Sequence, residues 1–504
     1  MRRHDSVSPE QEVFAALVCE ADGPVLVPFQ RTLPLDGRSP VALYIAFRSP
    51  VGYLLESIEG PERCARYSFI STTPRLTVNL YEERTDLDGE PEAVAIAETC
   101  QGSTVLDRLR ALVAGFPMAD VPAPRLAAGF VGSFAYELAG AIHRHSPAGP
   151  KGIQEGPIAR LHLSGDMLVI DHVADTCTIV TAPIVIPGMK CESIYAEAIA
   201  RLDSLVAQYH AVGAGEPPAP SRRADEQART PDQERTGFEN AVGVARKHVR
   251  SGECLQIVVS RRIDRSFAGD PLTVYRALRT RRPGPYLYLL EETDRAIVGA
   301  SPEMLLRVEG SKVTTVPIAG TRPRGTTPDD DERLAEELLA DEKERSEHLM
   351  LVDLARSDLG RCCTVGSVNV EEFMTVERFS HVQHLVSTVT GTLRPDRDRI
   401  DALAACFPAG TVSGAPRLRA MELIEELEAA PRGVYAGAVG YLDCVGNMDL
   451  AIAIRTAVIR DGIASVQVGA GIVADSIPER EFVETQCKAD GMLAALAAAE
   501  GEGP

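Results

Sequence analysis

The stretch Tyr286–Ile318, YLYLLEETDRAIVGASPEMLLRVEGSKVTTVPI, decides the fold. It holds four apolar runs: Tyr286 to Glu291, Arg295 to Gly299, Met304 to Val308 and Lys312 to Ile318. Short polar turns separate them, which favours antiparallel pairing, since parallel strands need long crossovers. Working outward, Cys254 to Ile263 reads as another strand, preceded by a helix around Phe238 to Ser251. A further helix opens at Asp329, where Thr327 can cap it, Pro328 suits the first helical position and acids fill the first turn. Toward the N-terminus, strands are expected at Ala42 to Phe47, Tyr67 to Ile70, Arg75 to Leu80, Met167 to Asp171 and Cys177 to Thr181. Helices are expected at Val105 to Ala114 and Glu192 to Tyr209. Runs of strands alternating with runs of helices predict an α+β protein of large, mainly antiparallel sheets with flanking helices. Residues 213–235, rich in Pro, Gly and charge, read as an exposed connector between an N-terminal region (1–212) and a C-terminal region (236–500).

The 504 residues suffice for two large lobes or one large sheet-based unit. The formal net charge of −20 opposes binding to nucleic acid or an anionic membrane, which leaves neither as an expected partner. An acidic chain that binds an acidic substrate must gather positive charge locally. The sequence contains no run of 18 apolar residues, and MRRHDSVSPEQEV lacks the apolar core of a signal peptide, so a cytoplasmic location is expected. Eleven scattered cysteines with no CxxC spacing argue for reduced thiols rather than a disulfide or zinc framework.

Two carboxylate pairs stand out. Glu344 with Glu347, and Glu481 with Glu484, are spaced i, i+3, which places each pair on one helix face. Facing helices of this kind would offer oxygen ligands suited to Mg²⁺, although a solvated helix surface also carries such pairs. Arg455 is the sole charge in LAIAIRTAVI (Leu450–Ile459), so it sits either at a strand edge or buried against an anion. Lys488 lies four residues after Glu484 and could pair with it as a surface salt bridge. GTVSGAP precedes an expected helix, Arg417 to Leu427, whose N-terminus would suit a carboxylate. Neither this segment nor VGAGIV is a phosphate loop or a dinucleotide fingerprint: the first lacks GK[ST] and GAG is too short.

Taken together, PIAGTRPRG (Pro317–Gly325), DEKERSEHLMLVDLARSDLGR (Asp341–Arg361), SHVQHLVS (Ser380–Ser387), FPAGTVSGAPR (Phe407–Arg417), YAGAVGY (Tyr435–Tyr441) and VGAGIVADSIPEREFVETQCK (Val468–Lys488) resemble the chorismate-utilising enzymes, and in detail the large subunits of anthranilate synthase. The resemblance implies a two-lobed, interwoven α/β sandwich with its active site in a cleft. It implies Mg²⁺ held by Glu347 and Glu484, with Glu344 and Glu481 in support. It implies chorismate bound by Gly320, Thr321, Thr411, Tyr435, Arg455, the Gly469–Ala470–Gly471 turn and Lys488. His384 matches the family's proton-transfer histidine. Glu303, in GASPEMLLR, matches the acid that protonates the leaving C4 hydroxyl, which requires a raised pKa.

Two positions sort the members of this family. Ala319 stands where 4-amino enzymes carry Lys, and Gln256 stands where water-using enzymes carry a Lys base. The resemblance therefore implies ammonia attack at C2, ending either at anthranilate plus pyruvate or at 2-amino-2-deoxyisochorismate. None of the cysteines lies in the G-x-C-x-G elbow of a glutamine amidotransferase, so a separate glutaminase subunit and a hetero-oligomer are implied. LLESIEG (Leu54–Gly60), ARYSFIS (Ala65–Ser71) and PYL (Pro285–Leu287) resemble the family's tryptophan feedback site, with Ser57, Pro285, Tyr286 and Leu287 as its contacts. The match is incomplete: Arg282 stands where Asn is usual and Leu287 where Met is common; a separate departure from the family pattern is Ser357 in ARSD, where Asn is usual.

Overall fold

The computed structural model describes residues 7–57, 66–143, 156–215, 232–281, 283–379 and 382–501. Expectations that fall on Ile58–Gly60, Ala65, Arg282, Ser380, His381 and most of the 213–235 connector lie outside these residues.

Two eleven-stranded sheets pack face to face, and every ladder between their strands is antiparallel among the described residues. The inner layer joins Tyr53, Phe69, Met167 and Tyr288 of the first sheet to Val131, Val439 and Tyr441 of the second. The Phe69 and Tyr441 rings meet edge to face at 5.6 Å. On the outer face of the first sheet lie helices Cys191–His210, Pro271–Arg281 and Pro478–Glu500. Val105–Ala114, Glu342–Cys362 and Arg399–Cys406 cover the second. Both sheets take strands from either side of residues 213–235. Gly52–Glu56 pairs with Tyr286–Glu291 in the first, and Gly129–Phe134 with Ala438–Asp443 in the second.

The strands of the opening stretch form at Tyr286–Glu291, Ala296–Ser301, Met304–Glu309 and Lys312–Thr315. The last expected strand is in fact two, because Val316-Pro317 interrupts it before Ile318–Pro323; proline cannot donate to a ladder. Helix Pro328–Ala340 starts as read, with Thr327 Oγ1 accepting from the Asp330 amide at 3.2 Å. One expectation fails outright. Ala42 to Phe47 is not a strand but part of helix Pro40–Phe47, apolar all round and exposed only at Ile45 and Ala46. A short apolar run gives no period to tell the two apart. Ser39-Pro40 decides it: Ser39 Oγ caps the Ala42 amide at 3.0 Å and Pro40 enters the first turn.

Two strand pairs switch sheets, and these crossovers build the site. Ala296–Ser301 belongs to the first sheet and Met304–Glu309 to the second, so the chain crosses at Pro302-Glu303. LAIAIRTAVI is likewise not one strand. Met448–Ile452 lies in the second sheet, Thr456–Arg460 in the first, and Arg455 sits in the kink with φ +51°. The crossovers are tied together: the Ile452 amide donates to Glu303 O (3.0 Å), the Ala300 amide to Arg455 O (3.1 Å), and Ser301 Oγ to Ile452 O (2.6 Å).

Candidate active site

A cavity of about 690 Å³ opens where the crossovers meet helices Glu342–Cys362 and Pro478–Glu500. Glu303, His384, Gln256, Gly320, Thr321, Thr411, Tyr435, Arg455, Gly469, Gly471, Lys488 and all four glutamates Glu344, Glu347, Glu481 and Glu484 line it. Ala470 does not; its methyl turns into the apolar core beneath helix Asp232–Arg250.

Glu303 is 9% exposed, and burial pushes its carboxyl up to about 7. Thr411 and the Lys488 ammonium oppose that rise. Thr411 Oγ1 is itself buried on the cavity wall. Near neutral pH Glu303 therefore carries a proton it can give away. His384 is the opposite case. Its pKa is lowered, first by burial and also by the Arg455 charge, while the Gly320 carbonyl works the other way. Nδ1 lies 2.9 Å from Gly320 O, which can only accept, so Nδ1 carries the proton and the neutral ring keeps its Nε2 lone pair.

Gly320 sits at a bulge of strand Ile318–Pro323 with φ +67°, and a Cβ there would press on Leu338 and the Glu344 carboxylate. Gly469 and Gly471 are not a turn, as read from the sequence, but lie inside strand Ile463–Ile472. That strand runs beyond its neighbour Thr456–Arg460, whose pairing stops at Val466, leaving the glycines against the cavity. Their value is space: a Cβ at 469 would stand 2.6 Å from Tyr435 Oη, and one at 471 would collide with Gln256 Nε2. Thr411 reaches the cavity from its own one-turn segment, Gly410–Ser413, rather than from the start of helix Arg417–Leu427.

Arg455 is exposed to the cavity, the consequence of its place in a crossover rather than in a strand. Lys488 makes the ion pair its spacing suggested, its ammonium 2.7 Å from Glu484, and also donates to Gly469 O at 2.9 Å. The glutamate pairs come from the two facing helices. Burial, then the Glu347 charge, raises the Glu344 pKa; burial, then Glu484, raises that of Glu481, which the Lys343 charge from the other helix opposes. Crowded carboxylates on two walls call for a countercharge, and an all-oxygen donor set suits Mg²⁺, which keeps waters and substrate oxygens in its shell. Among the described residues no three such side chains already converge on one point.

A second cavity, of about 500 Å³, contains Ser57, Pro285, Tyr286 and Leu287 beside Tyr67, Phe69 and Tyr441. Ser57 Oγ is buried there with no hydrogen-bond partner among the described residues. Pro285 lines both cavities. Sequence reading missed Gln467, Lys343 and Phe379 in the first cavity and the buried Arg432 behind it. Of these only Arg432 carried a signal: like Arg455, it is a lone charge in an apolar run, PRGVYAGAVGYL.

Residues 58–494 match the family of chorismate binding enzymes. The chain is 42% identical to anthranilate synthase component 1 of Mycolicibacterium smegmatis, over 97% of this chain and 94% of that one. It is 41% identical to the Pseudomonas aeruginosa protein of the same name, over 95% and 97%. Among solved structures, anthranilate synthase component I from Streptococcus pneumoniae superposes with a TM-score of 0.68 at 33% identity, covering 86% of this chain and 93% of that one. The menaquinone-specific isochorismate synthase of Escherichia coli shares the fold, with a TM-score of 0.69 at 19% identity over 96% and 98%. No helix among the described residues is long and apolar enough to cross a membrane.

Proposed function

Because this chain belongs to the chorismate binding enzymes, we propose that it is the chorismate-binding subunit of an anthranilate synthase, a carbon–oxygen lyase. The observation that carries this reading is one cavity that brings together a buried acid, Glu303, with its pKa raised to about 7, a base, His384, with its pKa lowered, and the cations Arg455 and Lys488. Ammonia adds at C2 of chorismate while the C4 hydroxyl leaves as water, taking the Glu303 proton; the new C2 ammonium sheds a proton that restores Glu303. The product is 2-amino-2-deoxyisochorismate. His384 Nε2 then accepts the C2 proton, the enolpyruvyl C3–O bond breaks, the released enolate becomes pyruvate by taking that proton at its methylene carbon, and the ring becomes anthranilate. Arg455 and Lys488 answer the two carboxylates of the substrate. Mg²⁺ held by Glu347 and Glu484, with Glu344 and Glu481 in support, would offset negative charge on the ring carboxylate and the departing hydroxyl. Ala319 and Gln256, both on the cavity wall, offer no amine for 4-amination or for activating water. Ammonia is then the nucleophile, delivered from glutamine by a separate glutaminase subunit.

Incubating the purified chain with chorismate, Mg²⁺ and ammonium, followed by mass spectrometry and anthranilate fluorescence, tests the reaction. Anthranilate with an equal amount of pyruvate is expected. Accumulated aminodeoxyisochorismate would instead select the enzyme that stops halfway, and unchanged chorismate would defeat both.

The second cavity is proposed to take tryptophan as a feedback inhibitor, with the unpartnered Ser57 hydroxyl as one contact and Pro285 as the physical link to the active cavity. Ser57→Ala is expected to raise the inhibitory tryptophan concentration at least about tenfold, the cost of roughly one good hydrogen bond, with uninhibited turnover unchanged. A wild-type enzyme indifferent to millimolar tryptophan would end this assignment.

A further inference from the structure

Arg432 does not line the active cavity, yet its buried guanidinium is fastened to the walls that do. Nη1 donates to Val412 O at 2.7 Å and Nη2 to Val258 O at 2.8 Å. Nε and Nη2 grip the Glu428 carboxylate at 2.8 and 2.6 Å. The guanidinium also stands 4.6 Å from the Tyr136 ring centre and 5.6 Å from that of Tyr435. Glu428 in turn accepts from the Ser260 amide and hydroxyl, each at 2.8 Å, and Ser260 Oγ accepts from Gln467 Nε2 at 2.8 Å. From behind, Glu137 accepts from the Arg432 and Gly433 amides at 3.0 and 3.2 Å.

Val412, Val258, Tyr435 and Gln467 all belong to the cavity wall. Val412 directly follows Thr411, Val258 faces Gly471 across its ladder, and Gln467 is two residues before Gly469. One rigid fork thus sets the spacing between the Thr411 turn, the glycine strand and Tyr435. Lysine could neutralise Glu428 but has no planar fork to reach two carbonyls and a carboxylate at once.

We infer that Arg432 is a positioning residue, holding the Thr411 turn and Tyr435 in the geometry that receives the substrate. This deepens the proposed function and rests on it for turnover, but only on family membership for chorismate affinity. The test is a double-mutant cycle of Arg432→Lys with Thr411→Ala, reading both chorismate affinity by calorimetry and turnover with ammonium. Arg432→Lys alone should cost about tenfold to a hundredfold in kcat/KM, the scale of a small misplacement. The decisive reading is coupling. In the Arg432→Lys background, Thr411→Ala should lose less than a third of the factor it loses in the wild type, because the turn is already displaced. Equal factors in both backgrounds would reduce Arg432 to a stability role and overturn the inference. Should Arg432→Lys not fold, Glu428→Gln, which keeps the shape of the carboxylate, takes its place in the same cycle under the same criterion. Absent turnover in every protein would strike the proposed reaction, while the coupling in affinity would still judge Arg432.

Discussion

Glu303→Gln is expected to lower turnover by about two to four orders of magnitude, the contribution of a well-placed general acid. The amide keeps size and polarity, so the folded structure and chorismate affinity should change little. What it lacks is a transferable proton. The wild-type pH profile carries the same signature. Glu303 acts in its protonated form, which is lost as pH rises through about 7. His384 acts in its neutral form, which is lost as pH falls through a value below its ordinary 6.5. Turnover at a constant concentration of free ammonia should therefore be bell-shaped, with the alkaline limb near 7 set by Glu303. Fixing free ammonia matters, since total ammonium would let the nucleophile itself rise with pH. An alkaline limb that persists in Glu303→Gln would assign it to another group, and an undiminished rate would remove Glu303 from the chemistry.

Glu347→Gln and Glu484→Gln should each reduce turnover by more than about a hundredfold and abolish its response to Mg²⁺. The physical basis is the crowding on each wall of the cavity: burial and the neighbouring carboxylate of the same helix raise Glu344 and Glu481 alike, and a dication between the helices would relieve both walls. A second readout avoids turnover. An ion that binds the folded chain raises its melting temperature with Mg²⁺ concentration, and this rise should vanish in either variant. Normal activity in either variant would dispose of the two-walled metal site. Glu484→Gln also frees Lys488 from its 2.7 Å ion pair. Its effect on chorismate affinity should accordingly differ from that of Glu347→Gln.

Local features of this chain were legible because local forces make them. The Thr327-Pro328 helix start, the span of helix Val105–Ala114 and the antiparallel strands from Tyr286 all follow from caps, periodicity and short turns. The i, i+3 glutamate pairs and the isolated charge of Arg455 were equally plain, since they depend on residues a few positions apart. Helix Pro40–Phe47 escaped because it is apolar on every side, the exposed Ile45 and Ala46 included, which erased the period that distinguishes helix from strand.

Beyond that reach, tertiary structure decided. No local signal says that LAIAIRTAVI splits between two sheets, so the place of Arg455 in a crossover emerges only when both sheets have formed. The glycines of VGAGIV look like a turn until Tyr435 and Gln256, distant in sequence, claim the space their missing side chains leave. The raised pKa of Glu303 is likewise a property of burial, which no single segment supplies. Sequence alone determined which residues were chemically equipped and where the locally capped helices begin. Their protonation, their spacing and the anchoring of the cavity by Arg432 arose from long-range packing, because desolvation and close approach exist only between parts of the chain that folding brings together.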